Sequence, residues 1–208
     1  MTHPHLSRRA FAVAATAALA GGPAVLAADP EGTMTSMLGP FYPVEKPADQ
    51  DFDMTWLKGH KARALGDVIE LTGRVLDRHG RPMRDARLEV WQANAAGRYA
   101  HANDISTAPL DPNFQGYALL TTGADGAWRL RTIKPAAYDS PIGLRTPHIH
   151  FDIQGRAHRL SAQMYFPEEG GLNAKDPLYK ELGPGAPTST AMAAGAGAYS
   201  WDVVLMDS

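Results

Sequence analysis

Pro147-His148-Ile149-His150-Phe151-Asp152-Ile153 is the stretch on which the reading of this chain turns. Alternate residues of a β-strand face the same side. On a strand, Ile149, Phe151 and Ile153 form an apolar face, and His148 and His150 point together to the opposite one. Two imidazoles side by side can share one metal ion. The same pair also arises in ordinary strands, so His-x-His alone leaves both a metal site and a plain strand open.

Working outward, short alternating segments recur. From Asp67, Ile69, Leu71 and Val75 alternate with polar neighbours, the period of a half-buried strand. His79-Gly80-Arg81-Pro82 is a turn, and Ala86, Leu88 and Val90 continue as a second strand. Tyr117 to Thr122 reads as a strand. Ala124-Asp125-Gly126 turns the chain, and Ala127 to Ile133 returns it as a hairpin. Leu160 to Phe166 and Trp201 to Met206 complete the set, and no long 3.6-residue period appears. Twenty Gly and 16 Pro supply frequent turns. The expectation is an all-β chain, a β-sandwich over residues 67–208. Residues 29–66, with Gly39-Pro40-Phe41-Tyr42-Pro43, read as an extended arm with turns and room for one short helix. Residues 167–199, rich in Gly, Pro and Ala, read as a long surface excursion.

Composition narrows the function. With 208 residues and 44% hydrophobic content, the chain supports one domain with a proper core. A formal charge of -2 and the lack of a long basic run argue against nucleic acid as a partner. Cysteine is absent, which excludes disulfides, thiolate nucleophiles and thiolate metal sites. Any metal must be held by His, Tyr, Asp or Glu. Residues 1–28 read as an export leader. Ser7-Arg8-Arg9-Ala10-Phe11 precedes a short Ala-rich run and a small-residue stretch ending Val25-Leu26-Ala27-Ala28. The Arg pair points to the twin-arginine route and a periplasmic or secreted protein. The apolar run is short of the ~20 residues that span a bilayer, so stable membrane insertion is not expected. That route carries folded proteins, which suits a cofactor loaded before export.

Two tyrosines could complete a metal site. Tyr99, in Gly97-Arg98-Tyr99, and Tyr138, in Lys134-Pro135-Ala136-Ala137-Tyr138, sit in loops just after expected strands. Taken singly, each reads as a Tyr that packs its ring and hydrogen-bonds its hydroxyl. Further motifs carry a resemblance. Glu89-Val90-Trp91-Gln92-Ala93-Asn94-Ala95-Ala96-Gly97-Arg98-Tyr99 resembles the first-tyrosine segment of the intradiol ring-cleavage dioxygenases, and within them the iron-binding subunit of the protocatechuate branch. Leu110-Asp111-Pro112-Asn113-Phe114, Thr132-Ile133-Lys134-Pro135, Arg145-Thr146-Pro147-His148-Ile149-His150-Phe151 and Gln163-Met164-Tyr165-Phe166 match in the family's order. The resemblance covers roughly residues 65–170.

The resemblance implies a β-sandwich core holding one non-haem Fe(III) per chain. By matching positions the ligands would be Tyr99, Tyr138, His148 and His150, with solvent in a fifth place. Arg145 and Gln163 would lie beside the metal. The chemistry agrees: a free Tyr ionises near pH 10, but a trivalent cation favours the phenolate, and hard anionic donors favour Fe(III). The implied reaction opens a catechol-type ring between its two hydroxyls with O2, giving a cis,cis-muconate-type dicarboxylate. In it Tyr138 would accept a substrate proton, and Arg145 would stabilise charge on the ring as it moves towards the keto form. The plain alternative for Arg145 is a surface ion pair worth ~0–1 kcal/mol, and for Gln163 a strand hydrogen bond to backbone. Trp91 reads as core, and His101 as either a site neighbour or a solvated loop residue.

The sequence departs from the family in places. The long N-terminal helical segment of the catechol branch is missing, which places the chain nearer the protocatechuate branch, whose members pair two different subunits. Both a homo-oligomer and a second, different subunit stay open for this chain. After Tyr138 the loop Asp139-Ser140-Pro141-Ile142-Gly143-Leu144 is short, with Ser140 where an aromatic is common, which leaves the ring substituents open. Two rivals remain. Thr72-Gly73-Arg74-Val75 with Gly80-Arg81-Pro82 also resembles transthyretin-like binding modules without catalysis. A cupin-like Fe(II) or Mn(II) site would use the His pair with Asp152 and His158, whose spacing fits poorly.

Overall fold

The computed structural model describes residues 28–206. The expected leader lies outside them, apart from Ala28. Among the described residues no helix is long and apolar enough to cross a membrane.

Two sheets pack face to face. In the first, β1 (Val68–Asp77) is the central strand. β4 (Ala127–Ile133) runs antiparallel along one side of it. β10 (Ala198–Ser200) and β11 (Val203–Leu205) run parallel along the other, and β9 (Met192–Gly195) extends the sheet beyond β10. The second sheet has the order β3 (Tyr117–Thr121), β2 (Arg87–Trp91), β7 (His148–Gln154), β8 (Arg159–Tyr165), antiparallel throughout. A separate hairpin pairs β5 (Tyr138–Ser140) with β6 (Gly143–Arg145).

The alternation read from the sequence decides which faces meet. Ile69, Leu71 and Val75 of β1 share one core with Leu88 and Val90 of β2 and with Ile149, Phe151 and Ile153 of β7. Phe151 sits between Trp128 and Trp201, with ring centroids at 5.4 and 4.9 Å. Each such side chain contributes about 1.5–3 kcal/mol on burial. The β-sandwich expectation holds. The opposite face of β7 carries His148 and His150, and it too is buried.

Three local expectations fail. Tyr117–Thr121 and Ala127–Ile133 are not a hairpin. The turn closes with Gly123 N donating to Ala127 O at 3.0 Å, and the two strands then part, β3 to β2 and β4 to β1. A tight turn at a sandwich edge can pass the chain from one sheet to the other, and the turn residues look the same in both cases. The arm has no helix between residues 28 and 66. It runs extended and is stitched to both sheets, Leu119 N donating to Gln50 O at 2.8 Å and Arg131 N to Phe52 O at 2.7 Å. Residues 167–199 are not a surface excursion. They form α1 (Gly170–Asn173), α2 (Pro177–Glu181), two 3-10 turns and strands β9 and β10, and they bury Asn173, Asp176 and Ser189. Helices of four and five residues are too short to leave a visible period.

Glu89 fastens the arm to β2. Its Oε2 accepts from Tyr42 Oη and Lys46 Nζ, both at 2.7 Å, and its Oε1 lies 2.9 Å from Arg87 Nη1. Burial tends to raise its pKa, but the bonds from Lys46, Tyr42 and Tyr117 overcome this and lower it to about 2. A depressed carboxylate stabilises the fold above its unfolded pKa, and that contribution disappears as pH falls through the folded value. Iron-free Glu89→Gln is therefore expected to be less stable than the parent at pH 7 by of order 2–3 kcal/mol. The gap should close between about pH 4.5 and 2. Urea midpoints across that range check it, and a gap independent of pH would show that the charge is not what holds the arm.

Candidate active site

The site is built on the outward face of β7 and on the loops that fold over it. His148 Nδ1 donates to Thr146 O at 2.6 Å, which fixes the tautomer and leaves Nε2 with a lone pair. That Nε2 lies 3.2 Å from His150 Nε2. Burial, helped by the Arg145 charge, lowers the His148 pKa to about 3 despite the bond to Thr146. Burial, then His148 and Arg145, hold His150 well below the ordinary imidazole value. Both shifts favour the neutral imidazole, the form that binds metal. Trp91 lies opposite His150 across the β2–β7 ladder and stacks flat on it, centroids 5.0 Å apart and planes 9° apart. Trp91 is thus buried, as the sequence suggested, but in a second apolar cluster over the site rather than in the main core.

Tyr99 arrives on the loop after β2 and Tyr138 at the start of β5, just after a loop that touches the first. Asn94 shapes the first loop, its Oδ1 accepting from Ala96 N and Arg98 N. Gly97 has φ 78°, and a Cβ there would meet Ala137 O at 2.7 Å. Only glycine tolerates both the conformation and the approach. The two phenol rings meet edge-on at 5.6 Å, and Tyr138 Oη is 3.5 Å from His148 Nε2. Burial raises the Tyr99 pKa well above its ordinary value, with Tyr138 adding to the effect. Burial also raises Tyr138, opposed by Arg145.

All six residues singled out in the sequence are gathered here. Arg145, on β6, lies opposite Tyr138 across the hairpin and donates from Nη2 to Gln163 Oε1. Gln163, on β8, is paired with His150. The sequence reading found the arm but missed its part in the site. Gly39 has φ 77°, and its hydrogen replaces a Cβ that would stand 3.3 Å from His150 Cε1. Phe41 stacks on Tyr99 at 4.5 Å, and Gln163 Nε2 donates to Ser36 Oγ at 3.0 Å. Gly39-Pro40-Phe41-Tyr42-Pro43 was the available signal, an aromatic pair in a segment too stiff for a free tail. A cavity of about 260 Å³ adjoins Tyr99 and is lined in part by Phe41, Trp91 and His101. A larger groove of about 970 Å³ runs along the β3 and β4 edges and is lined by none of these donors.

The donor set fits a hard, highly charged cation. The Tyr99 hydroxyl is buried and makes no hydrogen bond of normal geometry, although Tyr138 is near enough to perturb it. Two imidazole nitrogens face each other beside it. A cation at this point would satisfy the orphan oxygen, use the lone pairs and offset the burial that keeps the phenols neutral. The cupin-like set does not form. Asp152 is held by Arg159 at 2.9 Å, His158 lies with His79 in a groove at Arg78 and Arg156, and no three His, Cys, Asp or Glu among the described residues could share a metal.

Comparison with known proteins agrees with the geometry. The sequence model of a dioxygenase family matches residues 37–207. The protocatechuate 3,4-dioxygenase beta chain of Burkholderia cepacia is 46% identical over 146 residues, 68% of this chain and 62% of the relative. The chain belongs to the intradiol dioxygenase family. Among solved structures, the dioxygenase domain of a dioxygenase carbohydrate-binding protein fusion from Streptomyces sp. SirexAA-E is 28% identical. It covers 86% of this chain and 100% of that one, at a TM-score of 0.64. The 3-chlorocatechol 1,2-dioxygenase of Rhodococcus opacus 1CP is 25% identical and covers 85% of this chain and 73% of that one, at 0.65. The chain spans about three fifths of the length of the Burkholderia relative. Membership of the intradiol dioxygenases displaces the transthyretin-like binding module as a reading of the sandwich.

Proposed function

We propose that this protein is a non-haem Fe(III) intradiol dioxygenase. It would cleave catechol-type rings (catechol, protocatechuate or a related diphenol) with O2 to a cis,cis-muconate-type dicarboxylate. The observation that carries the reading is the convergence of two phenols and two neutral imidazoles in one buried site beside Arg145. Tyr99, Tyr138, His148 and His150 would hold one iron, which when bound supplies Lewis acidity and a template for the diol.

The remaining work falls to the chain's own groups. Tyr99 is fully enclosed and stays put. Tyr138 is less buried, and as a phenolate it is the group able to accept a substrate hydroxyl proton at Oη. Arg145 directs its guanidinium to the charge that develops on the ring. Phe41 and the arm close the site against water. The leader supports action after export, in the periplasm or outside the cell. Fractionation of cells making the full chain tests that placement, and an uncleaved cytoplasmic product would refute it.

The first experiment is iron content and visible spectrum of the chain from Asp29, followed by catechol under air. About one iron per chain and a broad visible band that shifts with catechol support the reading. A colourless protein that stays iron-free after reconstitution rules it out. Tyr138→Phe should keep the iron but lose one phenolate from the band and slow turnover about 10²-fold. Unchanged turnover would remove Tyr138 as the base.

A further inference from the structure

Asp176 is wholly buried in the segment read from sequence as a surface excursion. It caps α2, with Oδ1 accepting from Leu178 N at 2.8 Å and Tyr179 N at 3.2 Å. A cap needs only this one oxygen. The other, Oδ2, accepts from Arg145 Nε and from Thr146 N, both at 2.9 Å. With each oxygen engaged twice, the carboxylate cannot turn.

We infer that Asp176 is a positioning residue that holds the Arg145 guanidinium in the plane and reach its role requires. A guanidinium is planar, so fixing Nε on Asp176 and Nη2 on Gln163 sets the whole group. Gln163 is itself fixed by the arm through Ser36 Oγ. The Thr146 contact carries the support further, because Thr146 O accepts the hydrogen bond from His148 Nδ1. Thr146 Oγ1 also donates to Asn173 Oδ1 at 2.8 Å, and Asn173 Nδ2 donates to Phe166 O at 3.0 Å. Residues 166–178 thus grip Arg145 and Thr146 from outside the sandwich.

The anchoring is one-sided. Tyr138 faces Arg145 across the β5–β6 hairpin but has no charged partner of its own, its hydroxyl lying beside Tyr99 and 3.5 Å from His148 Nε2. The strand that carries the pinned cation is held, and the strand that carries the proton acceptor keeps some freedom. What Arg145 does rests on the ring-cleavage reading above. What holds Arg145 rests on these contacts alone.

The test compares Asp176→Asn, Arg145→Ala and the double variant in the iron-loaded protein with catechol. Asparagine keeps the capping oxygen and removes the charge that binds Nε. Asp176→Asn should keep its iron and visible band and lose about ten- to a hundredfold in kcat, with a much smaller change in KM. It should add little to Arg145→Ala, because the group it positions is already gone. An equal fold-loss in both backgrounds would make Asp176 a purely structural cap and overturn the inference. Should Asp176→Asn not fold, Asp176→Ser retains a cap without reaching Arg145 and carries the same comparison. If the parent turns over neither catechol, protocatechuate nor hydroxyquinol, the ring-cleavage reading falls. The anchoring is then read from nitrogen-15 NMR of the iron-free protein. A slowly exchanging Arg145 Nε–H that becomes fast in Asp176→Asn supports it, and equal exchange in both overturns it.

Discussion

His150→Ala is expected to fold and to lose most of its iron and its visible band. His150 is buried among Trp91, His148 and Tyr99, and no other imidazole among the described residues stands near enough to replace it. Removing a group that merely orients a ligand costs about 10–100-fold in metal affinity, so removing a ligand should cost more. His148→Ala should act alike and also strip Thr146 O of its donor. His101→Ala is the control. Its Nδ1 accepts from Asn103 N at 3.0 Å within its own turn, and its ring only edges Phe41 at 6.0 Å, so iron should be unaffected. Elemental analysis of the three variants, purified in parallel, decides the matter. Full occupancy and a normal band in His150→Ala would put the whole ligand set in doubt.

The strands legible in the sequence share one property: they repeat at a period the eye can follow, whereas Tyr99, Tyr138, Arg145 and Gln163 were legible only through motifs matched to the family. Strand β7 announces itself by Ile149, Phe151 and Ile153, and with it the shared face of His148 and His150. β1 does the same through Ile69, Leu71 and Val75. Where geometry depends on distant partners, the sequence is silent. The turn at Ala124-Asp125-Gly126 is as good a hairpin turn as a crossing between sheets, and only the pairing of β3 with β2 distinguishes them. Asp176-Pro177 is a fair helix-start signal. Nothing local says that Asp176 reaches across 31 residues to Arg145. The arm itself was legible, but its part in the site was invisible for the same reason. Gly39 and Phe41 have meaning only against His150 and Tyr99, more than 50 residues away.

That dependence on distant partners makes Arg145 the more searching test. Arg145→Ala is expected to keep iron and lose about 10²–10³-fold in kcat, more than it loses in substrate binding, if the guanidinium stabilises charge that develops during the reaction. The buried Asp176 would also lose its cationic partner. Breaking such a pair costs about 3–5 kcal/mol in general. Here the loss should fall towards the lower end, because Asp176 still accepts from Thr146, Leu178 and Tyr179. Arg145→Lys separates charge from geometry. Lysine restores the positive charge in the pocket, but its single ammonium cannot hold Asp176 and Gln163 from one rigid plane. It should recover most of the stability and only part of the turnover. Urea midpoints and steady-state kinetics on the two iron-loaded variants give both quantities. Full recovery of kcat by lysine would mean that charge alone matters and the Asp176 grip does not. Unchanged kcat in Arg145→Ala would reduce Arg145 to a strut between β6 and α2.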